Sequence, residues 1–173
     1  MQSERGFDMS ELIFPLPFRP RESYKDGAMA FGSARSNGRK HAGCDLYAIE
    51  GTPIFAIKDG VILRSVYPFF MDTYGIDIDH GDFVGRYTEI KNATLGLKVG
   101  TKVNKGGQIA TVGKMVFPSG TVLQMLHFEM YSGKASGPLT NRTNPPYQRR
   151  SDLIDPTQTL NQCVLKRQAA GKS

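Results

Sequence analysis

Long apolar runs are missing from this 173-residue sequence. The nearest to one, Leu12 to Phe18, is broken by Pro15 and Pro17, so no insertion into a membrane is expected. An apolar signal segment is missing as well: Met1 to Met9 is polar, which predicts synthesis in the cytoplasm, with Met9 as an alternative start. Cysteine occurs only at positions 44 and 163, too sparsely for a disulfide framework, and both thiols are expected reduced, Cys44 buried. Charge of one sign is in short supply: 16 Asp and Glu stand against 22 Lys and Arg, a net +6. That balance suits a polyanionic partner as well as it suits plain solubility. No aromatic-rich basic stripe or recognition-helix pattern accompanies it, so a nucleic acid is not expected.

What the chain does have is glycine and proline, 19 and 10 of them, which punctuate it into short segments. Strands are predicted at Asp45 to Ala48, Pro53 to Ile57, Val61 to Val66, Gly75 to Asp79, Phe83 to Ile90, Gln108 to Val112 and Val122 to Tyr131. Turns such as Asp59-Gly60 and His80-Gly81-Asp82 separate them. Strands at such short, regular spacing predict a mostly β protein, a two-sheet sandwich or barrel-like domain, with a short helix from Asp155-Pro156 to Leu165. Residues 1–11 read as a flexible leader, 12–165 as a single domain and 166–173 as a disordered tail.

Only three histidines are present, at positions 41, 80 and 127. His41-Ala42-Gly43-Cys44-Asp45 sets an imidazole and a carboxylate on one face of an extended segment, and zinc accepts both at about 2 Å. A His and an Asp four apart is a weak signal by itself. In Met125-Leu126-His127-Phe128-Glu129-Met130-Tyr131 the apolar residues take one face, and His127 and Glu129 share the other. Such polar groups on a buried strand need hydrogen bonds or a metal. Two His, one Asp and an open fourth position would form a catalytic rather than a structural zinc site.

The order of motifs resembles the lysostaphin-type (LytM-like) zinc metallopeptidases. The segments that carry the resemblance are Phe31-Gly32 with Arg35, then His41-x-Gly43-x-Asp45, Gly51-Thr52-Pro53-Ile54 and Asp59-Gly60-Val61-Ile62. They continue with Asp79-His80-Gly81, Tyr87-Thr88-Glu89, the glycine-punctuated stretch from Val99 to Gly113, and Leu126-His127-Phe128-Glu129. Asp155-Pro156 to Leu160 matches the family's closing segment, so the resemblance spans roughly residues 14–160. It implies a duplicated-hybrid-motif-like β fold, Zn2+ as cofactor on His41, Asp45 and His127, and peptide-bond hydrolysis in bacterial peptidoglycan. The protein would act as a monomer on the bacterial envelope, delivered by phage lysis or a secretion apparatus.

Two positions depart from the family pattern. Glu89 stands where the family has a catalytic His, and is expected to act as the general base. Met125 stands where it has a second His, and a thioether can neither donate a hydrogen bond nor carry a proton. Losing such a donor costs about 10²–10³ in rate. Tyr87, with Arg86, is a candidate for partial compensation by contact with substrate, and Arg35 for binding a substrate carboxylate. His80 and Glu129 are expected to be structural, and Arg149-Arg150 a solvated basic loop. The alternative readings are a degenerate zinc-binding domain that binds the wall or regulates a partner hydrolase, and a structural virion component.

Overall fold

Alternation in Met125–Tyr131 organises the molecule. The computed structural model describes residues 11–93 and 95–166, and this segment (β10) pairs with three other strands of its main sheet. Leu126, Phe128 and Met130 enter the hydrophobic core, while Met125, His127, Glu129 and Tyr131 face the other side. Each fully buried large apolar side chain contributes about 1.5–3 kcal/mol, which fixes which face of β10 turns inward.

The other strands in chain order are β1 (Cys44–Tyr47), β2 (Pro53–Phe55), β3 (Gly60–Pro68), β4 (Tyr74–Asp79) and β5 (Val84–Ile90). After them come β6 (Lys102–Val103), β7 (Gln108–Thr111), β8 (Met115–Val116), β9 (Val122–Leu123) and β11 (Leu153–Ile154). The main sheet is seven-stranded and antiparallel, in the order β1-β10-β5-β4-β3-β6, with β11 pairing the end of β10 beyond β1. A small sheet, β2 with β7, contributes Ile54, Ile109 and Ala110 to the core shared with the main sheet. β8 and β9 form a separate two-stranded ribbon. The mostly β, two-layer expectation holds.

Two local expectations are corrected. Val122 to Tyr131 is not one strand: Gln124 interrupts it, its carbonyl accepting Ala48 N–H and its side-chain oxygen accepting Glu50 N–H. The helix, α1 (Thr157–Gln162), stops short of Leu165, because Val164 leaves it to bridge Ile13 in parallel. Its Leu160 plugs into the core beside Phe14 and Leu16. Gly75 to Asp79 alternates as its residues do, with Ile76 and Ile78 on the core face and Asp77 buried on the other. The expected leader lies outside the described residues except for Glu11, and the expected tail except for Lys166. Cys44 and Cys163 are both buried free thiols. No helix among the described residues is long and apolar enough to cross a membrane.

Candidate metal centre

β1 enters the sheet beside β10 at very short range, and Gly43 is what permits it. A Cβ there would lie 2.3 Å from the carbonyl oxygen of Phe128. The close approach sets Asp45 directly opposite His127 on the polar face of the sheet. His41 reaches the same point from the loop before β1. Its Nε2 lies 3.0 Å from Asp45 Oδ1 and 3.1 Å from His127 Nδ1, and His127 Nδ1 lies 2.9 Å from Asp45 Oδ1. The three ligand candidates therefore converge, and all three are buried.

Their tautomers follow from the partners behind them. His41 Nδ1 is 2.9 Å from the Ala30 carbonyl, which can only accept, so Nδ1 carries the proton and Nε2 presents a lone pair. His127 Nε2 is 2.9 Å from Glu129 Oε1. Burial works against the Glu129 charge, but hydrogen bonding to His127 and the charges of Arg149 and Arg86 outweigh it and hold its pKa well below the usual carboxylate range. Glu129 therefore accepts, and the Nδ1 of neutral His127 faces the cluster. Two nitrogen lone pairs and a carboxylate pointed at one another repel unless a cation lies between them. A proton can serve: although burial disfavours a charged His127, hydrogen bonds to Asp45 and Glu129 raise its pKa to about 10. A divalent metal would replace that proton. Two imidazoles and a carboxylate, each His held from behind by a fixed acceptor, are the donor set and support that zinc takes.

Glu89 reaches this face by an irregularity. In β5, Thr88 lies opposite His127 and Tyr87 opposite Phe128. Strict alternation would send Glu89 into the core with Tyr87. Instead Thr88 and Ile90 pair with the consecutive residues Gly75 and Tyr74, so Glu89 is the extra residue of a β-bulge, at φ 64. Ile90 takes the core position, and Glu89 is turned toward the cluster. Its Oε2 is buried and has no hydrogen-bond partner among the described residues. Burial raises its pKa to about 8, with His127 pulling down and Asp45 and Glu129 pushing up. A strained backbone and an orphaned carboxylate oxygen at one residue are each costly, and together they mark a functional position.

The remaining candidates fall elsewhere. Tyr87 is 0% exposed and cannot touch a substrate, which corrects that expectation. Its hydroxyl accepts from Ile57 N–H and donates to His80 Nε2, while His80 Nδ1 donates to the Asp59 carbonyl. His80 is structural, and burial lowers its pKa. Arg35 lies at the site, but its guanidinium is 3.7 Å from Asp45 Oδ2 and bonded to the Ala28 carbonyl. Its other terminal nitrogen donates to Ser33 Oγ and the Ala34 carbonyl, so loop residues hold it beside Asp45. Arg86 is buried, tied to Tyr67, Thr140 and Glu129, and is closed to substrate.

Two participants were missed in the sequence. Arg149 is no solvated loop residue: its Nε donates to Glu129 Oε1 at 2.9 Å. Nothing local in the sequence signals that contact. Tyr47 shares the polar face with Asp45, two residues on, and alternation along β1 could have found it. Burial and the charges of Asp45 and Glu89 raise its pKa, so the phenol keeps its proton.

The profile of Peptidase family M23 matches residues 39–139, from just before His41 to beyond Glu129. This chain belongs to peptidase family M23. An uncharacterized metalloprotease of Buchnera aphidicola subsp. Baizongia pistaciae is 30% identical over 124 residues, 71% of this chain and 31% of the relative. The peptidoglycan DD-endopeptidase ShyC of Vibrio cholerae is 31% identical over 113 residues, 65% of this chain and 25% of its own length. The chain thus spans a third or less of the curated relatives it matches. In fold, this M23 domain resembles lysostaphin from Staphylococcus simulans (23% identity, TM-score 0.58, 80% of this chain and 50% of that one). It also resembles LytU (24% identity, TM-score 0.55, 82% and 90%).

Proposed function

We propose that this M23 domain is a zinc-dependent endopeptidase that hydrolyses peptide bonds in the stems or cross-links of bacterial peptidoglycan, with Glu89 as its general base. The substrate class comes from the DD-endopeptidase it resembles. His41 Nε2, Asp45 and His127 Nδ1 would hold the metal. Zinc, when bound, supplies Lewis acidity toward a carbonyl oxygen and toward water. The observation that carries the reading is Glu89: a bulged, strained residue whose buried Oε2 has no partner beside the three ligands. A carboxylate so placed takes a proton from the attacking water and delivers it to the departing amine as the C–N bond breaks. Its raised pKa suits both halves of that transfer near neutral pH. Burial works against the Asp45 charge, but hydrogen bonds to His127 and His41 outweigh it and keep Asp45 ionised, and Glu129 keeps His127 in the tautomer that binds metal.

A second reading has one observation in its favour. Met125, buried on the ligand face beside His127, offers no donor. On that reading the domain retains the metal but serves to bind wall or a partner hydrolase.

Turbidity loss of purified sacculi, with mass analysis of released muropeptides, separates the two. The wild type is expected to release cross-link fragments. Glu89→Ala is expected to release none while keeping one zinc per chain, and His127→Ala to lose both. Release by Glu89→Ala at the wild-type rate sinks the assignment of the base. No release by the zinc-loaded wild type favours the binding domain.

A further inference from the structure

The polar face of the sheet is built in rungs. Asp45 and His127 form one rung of the β1–β10 pair, and Tyr47 and Met125 form the next rung on the same face. Two residues of strand separate them by about 7 Å. The first rung supplies two of the three metal ligands. A peptide whose carbonyl meets that metal must lie across the neighbouring positions, and the second rung is one of them. Glu89 enters beside it from β5, the strand on the other side of β10 from β1. Tyr47 and Glu89 therefore flank Met125 from opposite sides.

Hydrolysis needs a proton acceptor and, separately, a donor toward the carbonyl oxygen as it gains negative charge. An ionised Glu89 only accepts. The other polar hydrogens around the site are committed. Those of His41 and His127 go to the Ala30 carbonyl and Glu129. The guanidinium of Arg35 donates to Ala28, Ala34 and Ser33, and the hydroxyl of Thr88 to the carbonyl of His127. The hydroxyls of Tyr67 and Tyr131 are bound by Asp77 and Glu129. Tyr47 differs: it is partly exposed, and its hydroxyl meets no hydrogen-bond partner among the described residues. It also lines a groove of about 660 Å³ whose walls include Phe18, Ile49, Val122 and Leu123 together with Arg19, Arg21 and Glu22.

We propose that Tyr47 is a further catalytic residue of this site, its phenol donating a hydrogen bond to the scissile carbonyl oxygen as that oxygen becomes anionic. The inference rests on the hydrolase reading and adds a residue to it. Tyr47 thereby supplies from β1 the donor that Met125 cannot supply from β10.

The test uses the zinc-loaded full chain and Tyr47→Phe, which removes one hydroxyl and keeps the ring. The probes are two phosphinic dipeptide analogues, glycyl-glycyl and D-alanyl-diaminopimelyl, whose tetrahedral anionic phosphorus replaces the amide carbon. Calorimetry uses whichever binds the wild type more tightly. Tyr47→Phe is expected to bind it about 10²-fold more weakly, with zinc content and thermal midpoint unchanged. On sacculi, the variant's kcat is expected to fall by a similar factor at unchanged KM. Affinity or kcat within twofold of the wild type overturns the proposal, as does a wild type that binds neither phosphinate. A wild type that releases no muropeptides yet binds a phosphinate through Tyr47 refutes the hydrolase reading and with it the catalytic role of Tyr47, leaving only a phenol that donates to a bound anion.

Discussion

Glu129 has no contact with solvent and serves four partners at once: His127 Nε2, the guanidinium groups of Arg149 and Arg86, and the Tyr131 hydroxyl. Sequence pattern put it on the ligand face but left it as a structural strand residue. What it does for the site depends on Arg149, 20 residues away in the chain, and on Arg86 from the next strand. Glu129→Gln keeps the shape and removes the charge that fixes the His127 tautomer. Zinc affinity, measured by competition with a chromogenic chelator, is expected to fall 10–100-fold. The apo-protein is expected to lose about 3 kcal/mol in urea titration, since Arg86 and Arg149 are left without their buried counter-charge. An unchanged zinc affinity would show that the backing carboxylate does not set the tautomer.

At the scale of elements, the bulge in β5 depends on the small sheet. The segment following β7 runs against it, with Gly113 N–H donating to the Glu89 carbonyl at 2.9 Å and Lys91 N–H to the Thr111 carbonyl at 3.0 Å. A Cβ on Gly113 would lie 2.8 Å from the Glu89 oxygen and 3.0 Å from the Ile90 carbonyl carbon, both backbone atoms that cannot swing aside. Gly113→Ala is expected to cost about 1–3 kcal/mol of stability and to shift Glu89. Muropeptide release would then drop at least tenfold while zinc content stays at one per chain. Loss of zinc together with activity would mean that the bulge supports the whole cluster and not the base alone. The β5 strand was legible from its residues. The bulge was not, because it appears only as a register shift between Thr88-Glu89-Ile90 and Tyr74-Gly75.

Across the whole molecule, a buried ionic row crosses the main sheet under the site, Asp77 on β4 beside Arg86 on β5 beside Glu129 on β10. Burial raises the Asp77 pKa to about 6 from 3.8, against the pull of Arg86 and the Tyr67 hydroxyl. Because the folded value lies above the unfolded one, the folded state holds this proton more tightly. Stability from Asp77 is full below about pH 4 and is lost as pH rises through about 6. Asp77→Asn has no proton to lose. Its unfolding free energy relative to the wild type, from urea titration, is therefore expected to rise between pH 4 and pH 7 by an amount on the order of 2–3 kcal/mol. A constant difference across that range would place Asp77 in its ionised state throughout.

The sequence by itself determined the β class and the spacing of turns, and it picked out His41, Asp45 and His127, which the fold brings together. Those signals are local: alternation, glycine punctuation, and donor types two or four residues apart. Only the tertiary structure decided that Tyr87 faces the core with His80, that Arg149 braces Glu129, and that a bulge turns Glu89 toward the ligands while β1 carries Tyr47 beside Met125. Those outcomes depend on strand register and on loops folding back over the sheet. Neither leaves a mark in the order of residues, because a one-residue slip changes every contact without changing the pattern.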